Sequence, residues 1–285
     1  MDQLHRGPLL LIGGAEDKIG HKLILHRFIK LAGGADARIV VIATASAFLD
    51  IVGRHYVQIF GALGARQTEV LRADTRLQAL QPESAAQLAG ATGVFITGGD
   101  QLKLTEVLGG TAIEAQLRRR SAAGAVVGGT SAGASAVATH MLAYGQSGAA
   151  PRKSMMQFAP GLGLIDGVVV DQHFGVRGRA GRLMTAVAHN PGLLGLGIDE
   201  DTAAEIDADG RLTVRGRGSV SVFDGAAIAH SDLHYAADYA PFAIFGMQLH
   251  TLPAGYHYDL ASRTPHLPTE SLRHPETGYT AGEGI

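Results

Sequence analysis

The sequence contains no cysteine, and this absence removes several kinds of chemistry at once. Disulfides, thiolate metal ligands and a cysteine nucleophile are all excluded, because each of them needs a thiol. If the protein uses a side-chain nucleophile of this kind, it must therefore be the hydroxyl of a serine or a threonine.

An excess of charge of one sign and long apolar runs are also lacking. The 24 basic and 26 acidic residues are spread along the chain and give a formal net charge of -2, so no broad basic surface for nucleic acid is expected. No apolar stretch approaches the length of a membrane span, and the apolar run in "MDQLHRGPLLLIGG" is too short for a signal sequence. We expect a cytoplasmic protein with no nucleic-acid or membrane partner.

The first half of the chain alternates short apolar runs with amphipathic segments. The runs "PLLLIGG", "RIVVIATAS", "TEVLRA", "GVFITGGD" and "GAVVGGTSAG" read as strands, and segments such as "HKLILHRFIKLAGG" read as helices between them. This rhythm predicts an α/β fold with a mostly parallel central sheet flanked by helices on both faces. Ligands bind such sheets beyond the carboxyl ends of the strands, so Gly13-Gly14, Gly98-Gly99 and Gly128-Gly129 are expected along one edge.

The second half continues with the strands "LIDGVVVDQHF" and "GLGIDED", followed by shorter strands around an Asp209-Gly210 hairpin signal. These strands predict an antiparallel extension in the C-terminal third of a single domain spanning residues 1–285. The expected arrangement is like that of flavodoxin and the class I glutamine amidotransferases. Residues 254–285 show no clear periodicity, and no structure is assigned to them.

The segment "AVVGGTSAGASA" places Ser131 between Gly129 and Gly133 in a G-x-S-x-G pattern. A strand-like run precedes the pattern and a helix-like run follows it, which is the context that a nucleophile elbow requires. The simpler reading is a tight glycine turn. "GGAEDK" at residues 13–18 lacks the spacing of a phosphate-binding loop and is read as a strand-to-helix turn.

A nucleophilic serine needs an imidazole base, and the imidazole needs a carboxylate to fix its tautomer. Of 13 histidines, only His173 directly ends a strongly apolar strand. The strand "GLGID" breaks into Asp199, Glu200 and Asp201, and strand alternation places Glu200 opposite in sense to its two neighbours. The pattern alone does not choose among these acids. The order serine, histidine, acid differs from that of the α/β-hydrolases, which argues against a lipase.

Four segments, "FITGGDQLKLTEVLGGT", "GGTSAGASA", "VDQHFGVRGRAGRL" and "GIDEDTA", occur in this order. Together they resemble the cyanophycinases, serine peptidases related to aspartyl dipeptidase, over most of residues 8–225. The resemblance implies a triad of Ser131, His173 and Glu200. It also implies a homodimer and a substrate, cyanophycin, which is a poly-aspartate chain with arginine amide-linked to each side chain. The backbone of this polymer would be cut to release β-aspartyl-arginine.

Each substrate unit carries a guanidinium, which favours a carboxylate, and a free carboxylate, which favours arginine. The resemblance makes five residues around His173 candidates for these contacts: Asp171, Gln172, Arg177, Arg179 and Arg182. Gln101 is also expected to reach the substrate. Alternatively, the arginines form a solvated helix face and Asp171 is a turn residue. Backbone N–H groups of Gly99 or Asp100, with Ala132, are expected to form an oxyanion hole. No metal and no cofactor are expected.

Two other functions are open at this point. An aspartyl or isoaspartyl dipeptidase would share the elbow and the histidine but accept short peptides, and the arginines after His173 argue against it because they suit a substrate rich in carboxylates. A non-catalytic binding protein would keep the site without turnover, and the intact set of Ser131, His173 and Glu200 argues against that reading.

Overall fold

The computed structural model describes residues 7–268. Within this range the helices are α1 (Leu23–Leu31), α2 (Leu49–Ala62), α3 (Arg76–Ala79), α4 (Pro82–Ala86), α5 (Gln101–Leu108), α6 (Ala112–Ala122), α7 (Ala132–Ala136) and α8 (Ala180–His189). The strands are β1 (Leu9–Ile12), β2 (Arg38–Ile42), β3 (Gln67–Val70), β4 (Gly93–Ile96), β5 (Val126–Thr130), β6 (His140–Gly145), β7 (Met156–Pro160), β8 (Val168–Gln172), β9 (Leu194–Ile198), β10 (Thr202–Ile206), β11 (Arg211–Gly216), β12 (Ser219–Asp224), β13 (His230–Ser231), β14 (Ile244–Phe245), β15 (Gln248–Pro253), β16 (His257–Asp259) and β17 (Thr264–His266).

The central sheet has nine strands in the order β17-β16-β11-β10-β1-β5-β4-β2-β3. From β1 to β3 the neighbours run parallel, and from β1 to β17 they run antiparallel. The α/β class, the parallel sheet and the antiparallel extension are thereby confirmed. Ile12 pairs with Thr130 and Ile96 with Gly129, so the glycine-rich segments of β1, β4 and β5 do meet at one edge.

The two faces of the central sheet bury alternate residues of each strand. Leu10 and Ile12 of β1 join a core cluster that includes residues of α1 and α2, whereas Leu9 and Leu11 join a cluster that includes residues of α5 and α6. Both faces are apolar because both are covered by helices, which explains the continuous apolar runs in these strands.

β8 and β9, which carry the "DQHF" and "IDED" segments at their ends, do not join the central sheet. They pair in parallel with each other in a four-stranded sheet ordered β15-β12-β9-β8. α7 lies against β1 and β5 of the central sheet and against β8 of the second sheet. The Ser135 hydroxyl of α7 donates to the Val170 carbonyl of β8 at 3.1 Å. The short helix after Ser131 therefore joins the two sheets.

The predicted hairpin links β10 and β11. Gly210 has a φ of 82°, and the Asp207 carboxylate accepts the N–H groups of Asp209 at 3.0 Å and Arg211 at 2.9 Å. Beyond Ala254, where the sequence showed no periodicity, β16 and β17 extend the central sheet, and residues 269–285 lie outside the described range. No helix within residues 7–268 is long and apolar enough to cross a membrane.

Candidate active site

Ser131 lies at a sharp turn between β5 and α7. Its φ is 52° and its ψ is -115°, a conformation that residues with a side chain rarely adopt. Its N–H donates to the Ile12 carbonyl at 3.0 Å, which ties the turn to β1. This strained strand-to-helix turn is the geometry of a nucleophile elbow.

The glycines around Ser131 are required by close backbone contacts. A Cβ at Gly129 would lie 2.5 Å from the Gly133 carbonyl oxygen, and a Cβ at Gly133 would lie 2.3 Å from the Ile96 carbonyl oxygen. A Cβ at Gly98 would approach the Ser131 Cβ to 3.2 Å. Positions 129 and 133 therefore need glycine, because strand, turn and helix pack backbone against backbone there.

His173 directly follows β8 and bridges the serine and an acid. Its Nε2 lies 2.9 Å from Ser131 Oγ, and its Nδ1 lies 2.5 Å from Glu200 Oε1. Its backbone N–H donates to the Gly13 carbonyl at 2.7 Å. Because Nδ1 faces a carboxylate, the proton of the neutral ring is assigned to Nδ1, and Nε2 is left to accept a proton from Ser131.

The three acidic residues after β9 make different contacts. Glu200 contacts His173, whereas the Asp199 carboxylate accepts the N–H of Gly175 at 3.0 Å and the hydroxyl of Ser219 at 2.8 Å. Asp199 therefore anchors neighbouring loops.

The Asp201 carboxylate also contacts other parts of the fold and not the imidazole of His173. Its Oδ1 accepts the N–H of Asp17 at 2.9 Å, and its Oδ2 lies 3.2 Å from Arg217 Nε. Of the three acids that strand alternation left open, Glu200 is the one that contacts the imidazole.

The charge state of His173 is set by competing effects. Burial lowers the pKa of His173 most strongly, and the positive charges of Arg177 and Arg179 also lower it, while Glu200 raises it. The net effect is a pKa below the ordinary value of 6.5. A lowered pKa keeps the imidazole neutral, which is the form that can accept a proton.

The backbone N–H groups expected to bind an oxyanion differ in availability. The Asp100 N–H donates to the Ala45 carbonyl at 2.9 Å, so the structure removes Asp100 from the candidate donors. Within residues 7–268, the N–H groups of Gly99 and Ala132 donate to no acceptor. Gly99 and Ala132 therefore remain the candidate donors to an oxyanion.

Comparison with known proteins assigns the family. Residues 9–214 match the family described as peptidase family S51. The chain belongs to peptidase family S51. The protein is thus a serine-type peptidase, which agrees with a serine at the elbow.

Relatives of this S51 peptidase include proteins named cyanophycinase. The protein from Synechococcus elongatus is 43% identical over 257 residues, covering 90% of this chain and 80% of that one. The protein from Geminocystis herdmanii is 41% identical over 266 residues, covering 93% of this chain and 98% of that one. A solved peptidase from an acI-B1 Actinobacterium shares the fold, with a TM-score of 0.64, 20% identity and coverage of 90% and 98% of the two chains.

Asp171 and Arg182 of this S51 peptidase bind each other instead of facing a ligand. Asp171 is 0% exposed, its Oδ2 accepts from Arg182 Nε at 2.6 Å, and its Oδ1 accepts from Arg182 Nη2. Arg182 also donates to the Gly145 carbonyl at 3.1 Å. A carboxylate without exposed surface does not meet a substrate guanidinium, which corrects the expectation that this pair contacts the substrate directly.

Arg179 is buried as well and orients Gln172. Its Nη1 donates to the Gln172 carbonyl and, at 3.1 Å, to Gln172 Oε1, which also lies 3.3 Å from Ser131 Oγ. A guanidinium only donates hydrogen bonds, so the amide oxygen of Gln172 must face it. Burial lowers the pKa of Arg179 to about 10, which leaves it charged at neutral pH.

Arg177 and Gln101 lie closer to solvent. Arg177 is exposed, and its backbone N–H donates to the His173 carbonyl at 3.1 Å. Gln101 Nε2 donates to the carbonyls of Leu142 at 3.1 Å and Ala143 at 2.6 Å, so this amide is held against β6. Of the six predicted substrate contacts, Arg177 is the one whose side chain makes no hydrogen bond or ion pair within residues 7–268, and the Gln101 side-chain oxygen accepts no hydrogen bond there.

The sequence reasoning missed the segment between β1 and α1, which was read as a plain turn. Its residues Glu16 and Lys18, with Tyr56 of α2, help to line a cavity of about 340 Å³ that opens beside Ser131 and His173. A clue in the sequence was "GGAEDK", charged residues directly after a buried parallel strand. Within residues 7–268, no group of three or more His, Asp or Glu side chains is placed to hold a metal ion.

Proposed function

We propose that the protein hydrolyses the poly-aspartate backbone of cyanophycin with a triad of Ser131, His173 and Glu200 and releases β-aspartyl-arginine. The observation that carries the catalytic part is the chain of contacts from Ser131 Oγ to His173 Nε2, at 2.9 Å, and from His173 Nδ1 to Glu200 Oε1, at 2.5 Å. The substrate is inferred from the relatives named cyanophycinase, which are 41% and 43% identical to this chain.

In the first half of the reaction, Ser131 Oγ attacks the carbonyl carbon of the scissile amide. Its proton passes to His173 Nε2, and Glu200 stabilises the imidazolium that forms. The carbonyl oxygen becomes an oxyanion, for which Gly99 and Ala132 offer free N–H donors. When the intermediate collapses, His173 gives the proton to the leaving nitrogen, and an ester with Ser131 remains.

In the second half, water replaces the leaving amine. His173 takes a proton from the water, and the resulting hydroxide attacks the ester carbon through a second oxyanion. Collapse returns the proton to Ser131 Oγ and frees a carboxylate product. The neutral imidazole favoured by the lowered pKa of His173 is the starting form for both halves.

A carboxylate-rich substrate fits the charges around His173. Asp171 pairs with Arg179 and Arg182, and Glu200 contacts the imidazole of His173. Of the three arginines, Arg177 is the one with no ion pair within residues 7–268, and its positive charge lowers the pKa of His173. We propose that Arg177 contacts a substrate carboxylate directly and that Gln101 contacts the polymer backbone. In this proposal Arg179 contributes its charge and holds Gln172 beside Ser131.

Incubation of the purified protein with an insoluble cyanophycin suspension, and separately with Asp-Leu, tests the proposal. We expect the suspension to clear and β-aspartyl-arginine to appear by mass spectrometry, while Asp-Leu stays intact. Ser131→Ala is the matched control and should leave the suspension turbid. Hydrolysis of Asp-Leu without clearing would identify an aspartyl dipeptidase, and binding without any turnover would identify a binding protein.

A cytoplasmic location and a homodimer, the latter inferred from the resemblance, complete the proposal. Light scattering coupled to size-exclusion chromatography tests the dimer, which predicts twice the chain mass of 29.6 kDa. Cell fractionation tests the location. An eluted mass of one chain, or recovery outside the cytoplasm, would contradict the respective part.

A further inference from the structure

Glu16 is a buried carboxylate on which three side chains from different parts of the fold converge. Its side chain is 1% exposed. Its Oε2 accepts the hydroxyl of Thr130 at 2.6 Å, its Oε1 accepts the hydroxyl of Tyr56, and Lys18 Nζ lies 2.9 Å from Oε1. The proposed triad uses none of these groups, although all four residues line the cavity beside Ser131.

Tyr56 and Lys18 supply the hydrogen-bond donor and the positive charge that a buried Glu16 carboxylate needs. Burial raises the pKa of Tyr56 well above its ordinary value, so its hydroxyl stays protonated and donates a hydrogen bond to Glu16. Lys18 supplies one positive charge against the one negative charge of Glu16, and its ammonium also lies 5.6 Å from the centre of the Tyr56 ring. A buried carboxylate that accepts from three donors is held rigidly in one place.

Thr130 connects this cluster to the elbow, because it is the residue directly before Ser131. A strained backbone persists only where the surrounding structure fixes it. On the C-terminal side of Ser131, Gly133 packs against the Ile96 carbonyl. On the N-terminal side, the side-chain contact of Thr130 is its hydrogen bond to Glu16.

We infer that Glu16 is a positioning residue that fixes the nucleophile elbow through the Thr130 hydroxyl and thereby sets the reactivity of Ser131. This inference rests on the proposed role of Ser131 as the nucleophile. Glu16 acts on the rate at which Ser131 attacks and not on substrate affinity, because its carboxylate is enclosed by protein donors.

Thr130→Val, Thr130→Ser and Glu16→Gln test the inference. Valine has the shape of threonine without the hydroxyl, serine keeps the hydroxyl, and glutamine removes the charge of Glu16. The measurements are kcat and KM on cyanophycin and the second-order rate constant for inactivation by phenylmethylsulfonyl fluoride, which reports Ser131 reactivity without the substrate. We expect Thr130→Val and Glu16→Gln to lower kcat and the inactivation constant roughly ten- to hundredfold with KM unchanged, and Thr130→Ser to keep most of both.

Glu205→Gln is the control for the loss of any buried carboxylate. Glu205 is 8% exposed and pairs with Arg27 at 2.5 Å and Arg215 at 2.9 Å, not with the site. This variant should lower the melting temperature and leave the inactivation constant unchanged. Should Glu16→Gln fail to fold, the Thr130→Val and Thr130→Ser pair still decides, because each changes one small group.

The inference is overturned if Thr130→Val reacts at the wild-type rate, or if Glu205→Gln slows inactivation as much as Glu16→Gln does. A rise in KM without a fall in kcat would also overturn it and would make the cluster a substrate-binding surface. Ser131→Ala separates the two proposals. Retained hydrolysis in that variant would remove the proposed role of Ser131 as the nucleophile, whereas loss of hydrolysis together with a wild-type Thr130→Val would remove only the role of Glu16.

Discussion

Gly14 lies against the ring of His173 and shows how tightly single residues are fitted at this site. Its φ is 97°, and a Cβ at this position would lie 2.4 Å from His173 Cε1 and 2.5 Å from Nε2. Its carbonyl also accepts the Asp201 N–H at 2.9 Å. Gly14 therefore contacts the imidazole and supports the turn that carries Glu200.

Gly14→Ala should lower kcat far more than it lowers stability. The added methyl group must displace the His173 ring, and a shift of about 1 Å in a reacting group can cost on the order of a hundredfold in rate. Gly124→Ala is the matched control, because Gly124 has the same φ of 97° but nothing within 4 Å of the new Cβ. The left-handed backbone should cost each variant about 1 to 2 kcal/mol of unfolding free energy, and Gly14→Ala should lose somewhat more because its methyl group meets the His173 ring. Equal kcat values for the two variants would contradict the assignment of His173.

Arg177 should tune the pH dependence of the reaction. Its positive charge is one cause of the lowered pKa of His173, and Arg177 is exposed, so its removal should leave the fold intact. In the wild type, kcat should rise with pH through a pKa below 6.5 as His173 loses its proton. Arg177→Gln should move this rise to higher pH, and a movement to lower pH would contradict the electrostatic account.

The turn between β9 and β10 carries three acidic residues that make different contacts. Glu200 contacts the imidazole, while Asp199 accepts from Ser219 and Gly175. Alternation along a strand could not choose between these acids, because the chain leaves the strand geometry at this turn, where Asp201 has a φ of 47°.

Glu200→Gln and Asp199→Asn should therefore fail in different ways. Glu200→Gln should lower kcat by up to about 10⁴-fold with little loss of stability, since an amide favours the wrong imidazole tautomer. Asp199→Asn should lower the unfolding free energy by about 1 to 3 kcal/mol and keep most of kcat. Steady-state kinetics and urea unfolding of the two variants measure both effects, and a greater fall in kcat for Asp199→Asn would reverse the assignment.

The buried pair of Asp171 and Arg182 ties β8 to α8, the strand and helix on either side of the His173 loop. Asp171→Asn should destabilise the protein by about 3 to 5 kcal/mol, because it leaves the Arg182 charge buried without a carboxylate. Urea unfolding measures this loss. A wild-type unfolding curve combined with a lost preference for arginine-containing over lysine-containing cyanophycin would restore Asp171 as the group that binds the substrate guanidinium.

Across the molecule, the sequence predicted those features that depend on local patterns. Apolar runs, and the residues that end them, predicted the parallel strands and their glycine-rich ends. They also predicted the elbow at Ser131 and the histidine at the end of β8. The apolar pattern did not predict that β8 and β9 lie in a second sheet, because a fully buried strand has the same pattern in either sheet.

The sequence also did not predict which charged side chains near the site are buried. The arginines near His173 read as ligands for a substrate carboxylate or as a solvated face, yet Arg179 and Arg182 are 8% and 5% exposed. Glu16 was overlooked because its partners Tyr56 and Thr130 are 40 and 114 residues away in the sequence. Such contacts depend on how distant segments pack, which local periodicity does not encode.

Labelling with phenylmethylsulfonyl fluoride, followed by peptide mass spectrometry, tests the central claim that Ser131 is the nucleophile activated by His173. The account predicts one adduct, on Ser131, in the native protein, and no adduct after denaturation or in His173→Ala, with loss of cyanophycin hydrolysis in proportion to the labelled fraction. Full hydrolysis by fully labelled protein, or native labelling at another serine that abolishes activity, would contradict it.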